Sequence, residues 1–169
     1  GYIGSHTVIQ LLTAGAKVYI LDNFYNSTQL VVDQIEKISG QRPNLVVGDI
    51  RNRALLKNIF AHHRIDSVIH FAGLKAVGES GEEPLKYYSN NVIGSCVLLE
   101  EMQEANVKKL VFSSSATVYG SPNSLPITED SLLSPTNPYG QSKSMVESII
   151  HDLYKSDHSW SFAILRYFN

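Results

Sequence analysis

The chain has 169 residues, 43% hydrophobic and 18% charged, a composition typical of a soluble globular domain that can bury a core. Its 14 Lys and Arg nearly balance its 16 Asp and Glu, so the net charge of −2 excludes the basic excess typical of nucleic-acid-binding proteins. The single cysteine, Cys96, excludes an internal disulfide framework and a cysteine-rich metal site, and no apolar run has the length of a membrane span.

Short apolar runs alternate with stretches of helical periodicity along the whole chain. In chain order we expect a helix at 3–14, a strand at 17–21, a helix at 28–38, a strand at 45–47, a helix at 52–63, a strand at 67–71, a helix at 84–105, a strand at 109–112, a helix at 139–155 and a strand at 161–166. Residues 121–138 carry most of the prolines and are predicted to form a long ordered loop.

Mostly apolar strands that alternate with helices predict an α/β fold with a doubly wound parallel sheet. Ligands of such folds bind beyond the carboxyl ends of the strands. Polar or glycine residues follow the predicted strands, at Asp22, Asp49, Gly73 and the serines 113–115. The sequence therefore predicts a ligand site built from these strand ends.

The chain opens with Gly1-Tyr2-Ile3-Gly4, directly at the start of the first predicted helix. Glycines at this place allow a pyrophosphate to approach the backbone, and the helix start offers free N–H donors. Asp22 ends the next strand at about the spacing expected for an acid that binds an adenosine ribose. A carboxylate there would repel a 2′-phosphate, which favours NAD over NADP. An ordinary turn at Gly1–Gly4 and a turn or capping role for Asp22 remain the alternatives.

Tyr139 and Lys143 lie four residues apart, on one face of the last predicted helix. A phenol is a poor base at neutral pH, and a nearby ammonium or an oxidised nicotinamide would favour its ionised form. Ser115 and Thr117, after the preceding strand, offer hydroxyls to a sugar or to the tyrosine. The alternatives are a surface Tyr and Lys on an amphipathic helix and serines that simply form a loop.

These residues lie within longer motifs that resemble the extended short-chain dehydrogenase/reductase superfamily, and within it the UDP-glucose 4-epimerases. The motifs are GYIGSH at 1–6, LDN at 21–23, GDIR at 48–51, HFAGLKAVGES at 70–80, SSSATVYG at 113–120, PYGQSK at 138–143 and LRYFN at 165–169. Related dehydratases typically carry a Thr-Asp-Glu-like triplet where this chain has Ser115-Ala116-Thr117. The resemblance therefore implies a Rossmann-like fold and argues against dehydration.

The resemblance also implies a role for individual residues. It implies catalytic roles for Tyr139 as acid/base, for Lys143 and for Ser115. It implies NAD contacts for Gly1, Tyr2, Ile3, Gly4, Asp22, Asn23, Phe24, Tyr25, Asn26, Ser27, Asp49, Ile50, Phe71, Ala72, Gly73, Leu74, Lys75, Asn90, Ser115, Tyr139, Lys143 and Phe168. It implies sugar-nucleotide contacts for Lys75, Ser115, Thr117, Tyr139 and Asn169.

We therefore expect an NAD-dependent isomerase that interconverts UDP-glucose and UDP-galactose, with no metal, nucleic-acid or membrane partner. A 4-epimerase of another UDP-sugar (a pentose or an N-acetylhexosamine) and a non-catalytic dinucleotide-binding protein are the alternatives. We expect residues 1–169 to be a partial NAD-binding domain that lacks its first strand and a C-terminal substrate domain, and to be inactive alone. The resemblance implies a cytoplasmic homodimer.

Overall fold

The computed structural model describes residues 1–122 and 124–168. The α-helices of this part are α1 (Tyr2–Thr13), α2 (Gln29–Ser39), α3 (Arg53–His62), α4 (Val77–Glu82), α5 (Pro84–Tyr87), α6 (Gly94–Glu104) and α7 (Pro138–Ser156). Its strands are β1 (Tyr19–Asp22), β2 (Asn44–Val47), β3 (Val68–His70), β4 (Lys109–Ser115) and β5 (Ser161–Tyr167). A π-helical segment (Tyr88–Ile93) joins α5 to α6, and a 3₁₀ helix (Ala116–Tyr119) follows β4. The chain forms two compact units, Gly1–Asn52 and Arg53–Asn169.

The first unit contains a parallel pair of strands with two helices. β1 and β2 are in register from Tyr19 opposite Asn44 to Asp22 opposite Val47. α1 contacts α2, and Leu12, Val32 and Ile35 are buried. Both strands end at the same edge because they are parallel, so the residues that follow Asp22 and Val47 lie near one another.

The second unit contains a three-stranded parallel sheet in the order β3-β4-β5. Its register pairs His70 with Phe112 and Ser115 with Tyr167. α7 contacts both β4 and β5. The helix begins at Pro138, a favoured first residue, and the Asn137 side chain caps it by accepting a hydrogen bond from Gly140 N at 2.8 Å. This start fixes where the side chains of the first two turns point.

The predicted α/β class with parallel strands is confirmed, and each predicted strand is present to within three residues at either end. The helix predicted over 84–105 is present as a continuous helical stretch over 84–104, but its middle, Tyr88–Ile93, is π-helical, which was not predicted. Helix α4 and the 3₁₀ helix were not predicted, since neither has a long apolar period. The serines 113–115 lie inside β4 rather than beyond it. In the described residues, no helix combines the length and the hydropathy that crossing a membrane requires.

Candidate functional site

In the first unit, Asp22 stands at the carboxyl end of β1 beside the start of α1. Its Oδ1 accepts a hydrogen bond from Phe24 N at 2.8 Å, and Phe24 has a left-handed φ of 55°. Its Oδ2 lies 3.8 Å from the Gly1 nitrogen. The predicted glycine start and the predicted acid are therefore neighbours.

Asp49, at the end of β2, is held by groups from two loops. Arg51 donates to it from its backbone nitrogen (2.9 Å), from Nε (2.8 Å) and from a terminal guanidinium nitrogen (2.8 Å). Asn23 donates from Nδ2 at 3.2 Å, which joins the loop after β1 to the loop after β2. The Arg51 guanidinium holds the pKa of Asp49 well below its usual range, so this carboxylate is ionised at neutral pH. Ile50 beside it is buried.

The remaining predicted residues of this unit surround the two acids. Tyr2, Asn23, Tyr25 and Asn26 are exposed, while Phe24 and Ser27 are half-buried. The backbone nitrogens at the start of α1 have no intrahelical acceptors, because the first turn of any α-helix leaves its N–H groups unpaired. The first unit thus offers N–H donors near the Asp22 carboxylate, and a second carboxylate, that of Asp49, held by Arg51 and Asn23.

In the second unit, the loop after β3 is fixed by an amide side chain. Asn91 Oδ1 accepts from Leu74 N at 2.8 Å, and Asn91 Nδ2 donates to Leu74 O at 2.9 Å. Asn90, a predicted cofactor residue, donates to the same Oδ1 at 3.0 Å. Leu74 is buried, whereas Lys75 is exposed.

Lys143 is a buried lysine whose Nζ donates to Ser113 O at 2.8 Å. The same nitrogen lies 4.9 Å from the centre of the Phe112 ring. Burial lowers the pKa of Lys143 to about 8, and the charge of Glu147, one turn later on α7, opposes this effect. A Cβ built at Gly73 would lie 3.3 Å from Lys143 Nζ, so any larger residue at this position would crowd the ammonium.

Tyr139 lies one turn before Lys143 and is half-buried. The next residue, Gly140, packs so closely that an added Cβ would lie 2.7 Å from Thr117 O. Thr117 in turn donates to Ser115 Oγ from its hydroxyl at 2.9 Å and from its backbone nitrogen at 3.2 Å. The start of α7 and the two predicted hydroxyl residues are therefore brought together by a contact that only glycine permits.

Glu147 forms a buried ionic cluster that the sequence analysis did not identify. Arg166 donates to it from Nε (3.1 Å) and from a terminal nitrogen (2.7 Å), and the Ser114 hydroxyl donates to it as well. Arg166 also donates to the Tyr119 hydroxyl at 2.7 Å. Phe168, predicted at the nicotinamide, is exposed and packs its ring 6.2 Å from that of Tyr119.

The structure therefore gathers the predicted residues in two groups, one in each unit. Gly1, Asp22, Asn23 and Asp49 meet in the first, and the second holds the following residues: Gly73, Leu74, Asn90, Ser115, Thr117, Tyr139 and Lys143. Asn169 lies outside the described residues. Sequence reasoning assigned no role to three residues that hold predicted ones: Arg51 binds Asp49, Asn91 binds Leu74, and the Ser142 hydroxyl donates to Tyr139 O at 2.7 Å. Arg51 and Ser142 lie within the motifs GDIR and PYGQSK, which do not specify these contacts, and Asn91 is a polar residue within a helical stretch.

The comparisons with known proteins match the whole chain. A family model described as GDP-mannose 4,6 dehydratase matches residues 1–169. The UDP-glucose 4-epimerase of Neisseria meningitidis serogroup C is 59% identical over 172 residues, which cover 100% of this chain and 50% of that protein. The UDP-glucose 4-epimerase of Bacillus subtilis strain 168 is 52% identical over 169 residues, again 100% of this chain and 50% of the relative.

Solved structures agree with this result. The UDP-glucose 4-epimerase from Bifidobacterium longum, in complex with NAD⁺ and UDP, superposes with a TM-score of 0.97 at 49% identity, over 99% of this chain and 50% of that chain. The UDP-glucose 4-epimerase from Stenotrophomonas maltophila, with bound NAD and formylated UDP-arabinopyranose, gives a TM-score of 0.97 at 45% identity. The match covers 100% of this chain and 50% of that chain. The chain spans about half the length of the curated relatives it matches. The predicted Rossmann-like class and the resemblance to UDP-glucose 4-epimerases are thus confirmed, and the chain belongs to the family described as GDP-mannose 4,6 dehydratase.

Proposed function

We propose that this chain is the NAD-binding part of a UDP-hexose 4-epimerase that interconverts UDP-glucose and UDP-galactose. The observation that carries the proposal is the second unit's cluster, in which buried Lys143 lies one turn after Tyr139 and the helix start packs on Thr117. Relatives named UDP-glucose 4-epimerase at 52% to 59% identity support it.

The residues present fit NAD. In the first unit, the free N–H groups at the start of α1 suit a pyrophosphate. Asp22 Oδ2 suits a ribose hydroxyl, and its negative charge disfavours the 2′-phosphate of NADP. In the second unit, glycine at position 73 avoids a close contact with Lys143 Nζ, and Asn90, Ser115 and Phe168 complete the proposed contacts.

In the proposed reaction, Tyr139 removes the proton from the sugar 4-hydroxyl and later returns it. Bound NAD would supply the redox chemistry by taking a hydride from C4 and giving it back to the other face of the 4-keto sugar. The Lys143 ammonium stabilises negative charge on the Tyr139 oxygen and holds a ribose hydroxyl. Ser115 and Thr117 keep the sugar hydroxyl within reach of Tyr139. Because the cofactor ends unchanged, no second substrate is required.

Two features favour this proposal over a dehydratase and over a non-catalytic protein. Ser115-Ala116-Thr117 contains no carboxylate, so it lacks the second acid/base that a dehydratase would use to eliminate water. A non-catalytic dinucleotide-binding protein has no need for a buried lysine beside a tyrosine, since burying an ammonium is unfavourable. A 4-epimerase of another UDP-sugar would share the same cluster, so the choice of sugar must be measured.

The test is an assay of the full-length protein, purified with its bound nucleotide, on UDP-galactose without added NAD. We expect UDP-glucose to form, and enzymatic analysis of the released nucleotide to give NAD. If NAD is bound and UDP-galactose is not converted, the galactose assignment is wrong. Conversion of UDP-arabinose or UDP-N-acetylgalactosamine in the same assay would then identify the alternative.

The domain organisation, the homodimer and the cytoplasmic location expected from the sequence stay predictions. Gel filtration with light scattering on the full-length protein measures whether it is a homodimer.

A further inference from the structure

Two buried side chains of opposite charge lie one turn apart on helix α7. Lys143 is 5% exposed and Glu147 is 1% exposed. Residues four positions apart share a face of a helix, so a lysine and a glutamate at this spacing can form an ion pair. Here they do not. Among the described residues Lys143 has no ion pair, and its Nζ donates instead to Ser113 O at 2.8 Å.

Arg166, on the neighbouring strand β5, takes the place of Lys143 as the partner of Glu147. Its Nε donates to Glu147 Oε1 at 3.1 Å, and a terminal nitrogen donates to Oε2 at 2.7 Å. Both carboxylate oxygens are therefore bound by one guanidinium, a geometry that also fixes its orientation. The hydrogen bonds to Glu147 raise the pKa of Arg166 above its usual range, so this guanidinium stays charged.

Consecutive residues of β4 hold the two side chains of α7. Lys143 donates to the backbone oxygen of Ser113, and the Ser114 hydroxyl donates to Glu147. Neither serine carries a charge, so these contacts fix the ammonium and the carboxylate without compensating either of them. The charge of Glu147 is balanced by Arg166 alone, and the charge of Lys143 stays unbalanced next to Tyr139.

Other ionisable groups near α7 leave this balance unchanged. His70 is buried at the end of β3, and burial together with the Lys143 charge lowers its pKa to about 3, which keeps it neutral at neutral pH. Glu79 of α4 and Lys86 of α5 pair with each other at 2.7 Å, and burial raises the pKa of Tyr87 to about 12. The elements that contact α7 carry two exposed charges and three phenols besides: Glu82, Lys109, Tyr88, Tyr119 and Tyr167.

We propose that Arg166 is a positioning residue that neutralises Glu147, so that the charge of Lys143 acts unopposed on the oxygen of Tyr139. The inference rests on the proposed function, because Tyr139 is taken to be the base. Arg166 does not touch the reacting atoms and acts through Lys143. Without Arg166, the buried carboxylate would face the ammonium across one turn of the helix and would offset its charge.

The size of the effect follows from the helix geometry. Glu147 lies eight residues after Tyr139, which is about 12 Å along the helix axis. At an effective dielectric constant of about 20, one unit charge at this distance shifts a titration midpoint by about one pH unit. An added positive charge shifts every nearby midpoint down, and an added negative charge shifts every one up. Both limbs of the pH profile of kcat should therefore move together.

The test measures this pH profile on UDP-galactose with the full-length protein and its bound NAD. Glu147→Gln leaves the Arg166 charge unpaired, so the profile should move down by about one pH unit. Arg166→Met leaves the Glu147 charge unpaired, so the profile should move up by about the same amount. Arg166→Met combined with Glu147→Leu removes both charges and should return the profile to its original position.

Asp152→Asn is the matched control. It removes the same charge as Glu147→Gln from the same helix, but the Asp152 side chain is 74% exposed, so water screens its charge. The profile of this variant should not move. A general loosening of the structure cannot produce the expected pattern, because Glu147→Gln and Arg166→Met weaken the same contact and yet shift the profile in opposite directions.

The second readout is the titration of Lys143 by NMR of ¹³C-labelled lysine in the NAD-free full-length protein, with the signal assigned from Lys143→Met. It needs no turnover. Burial places the pKa of Lys143 at about 8. Because Glu147 is only about 6 Å away along the axis, Glu147→Gln should lower this midpoint by at least about one pH unit. Arg166→Met should raise it.

An unmoved profile in Glu147→Gln, or shifts of the same sign in Glu147→Gln and Arg166→Met, overturns the inference. A double variant displaced as far as either single variant overturns it too, and so does an equal displacement in Asp152→Asn. If Arg166→Met does not fold, Glu147→Gln and the double variant decide. If the unsubstituted protein binds NAD but converts no UDP-sugar, the proposed function fails, and the Lys143 titration alone decides the inference.

Discussion

Lys143→Met removes a charge that the fold holds away from water, so we expect it to abolish turnover while raising stability. Burial lowers the pKa of Lys143 from 10.5 to about 8. At about 1.4 kcal/mol per pKa unit, the buried ammonium opposes folding by about 3 kcal/mol at neutral pH. Methionine fills a similar volume and keeps contact with the Phe112 ring, while the lost hydrogen bond to Ser113 O costs about 1 kcal/mol. The net gain is about 2 kcal/mol.

The sign of the pH dependence follows from proton binding. Between about pH 8 and pH 10.5 the unfolded chain binds more protons at Lys143 than the folded chain, so the free energy of unfolding rises with pH across this window. The methionine variant lacks this rise. The methionine variant therefore has its full gain in free energy of unfolding below about pH 8, and this gain shrinks as the pH rises from about 8 to 10.5.

Urea denaturation of the NAD-free protein at about pH 7 and about pH 9.5 measures both effects. Lys155→Met is the control, because Lys155 is exposed on the same helix and pairs only with Asp152 in the described structure. We expect the difference in free energy of unfolding between that variant and the unsubstituted protein to be the same at both pH values. A Lys143→Met protein that is less stable than the unsubstituted one at pH 7, or whose difference is the same at both pH values, would refute the reasoning.

Three further predictions concern single groups. Tyr139→Phe should lower kcat by about 10²- to 10⁴-fold with NAD still bound, and retained turnover would remove its role as the base. Asp22→Gly should raise the affinity for NADP relative to NAD in a binding titration, because the repelling carboxylate is gone; an unchanged ratio would contradict the ribose assignment. Arg166→Met leaves Glu147 buried without its charged partner, so it should lower the free energy of unfolding by about 3–5 kcal/mol, and adding Glu147→Leu should restore most of it. A double variant as unstable as Arg166→Met alone would show that the charge is not the cause.

Strands and their carboxyl-end residues could be predicted from the sequence because apolar runs and terminal polar residues are local signals. Asp22 and Asp49 were placed correctly at the ends of β1 and β2 for this reason. Ser115, Thr117 and Tyr139 were predicted to act together from the position of the hydroxyls at a strand end and then from motif resemblance, and the close packing of Gly140 on Thr117 shows how the fold joins them. The chemical roles of these residues stay predictions.

The groups that hold these residues could not be predicted, because their partners are distant in sequence. Asn91 bonds Leu74 and Ser142 across 17 and 51 positions, and Arg166 bonds Glu147 across 19. A polar residue in a helical stretch predicts an exposed side chain unless its partner is known. The π-helical segment was missed because residues 85–93 contain no proline or glycine that would mark its start at Tyr88.

The Glu147–Arg166 pair has a mechanical consequence for the proposed epimerisation. It joins helix α7, which carries Tyr139, to strand β5, which leads into Phe168. Arg166 also binds the Tyr119 hydroxyl, and the Tyr119 ring contacts the Phe168 ring. A two-point ion pair resists sliding and twisting more than a single hydrogen bond does. Tyr139 and Phe168 are therefore parts of one stiff frame. In the proposed epimerisation, the keto sugar has to present both faces of its C4 carbonyl in turn, and we expect this frame to hold Tyr139 and Phe168 in place while the sugar turns.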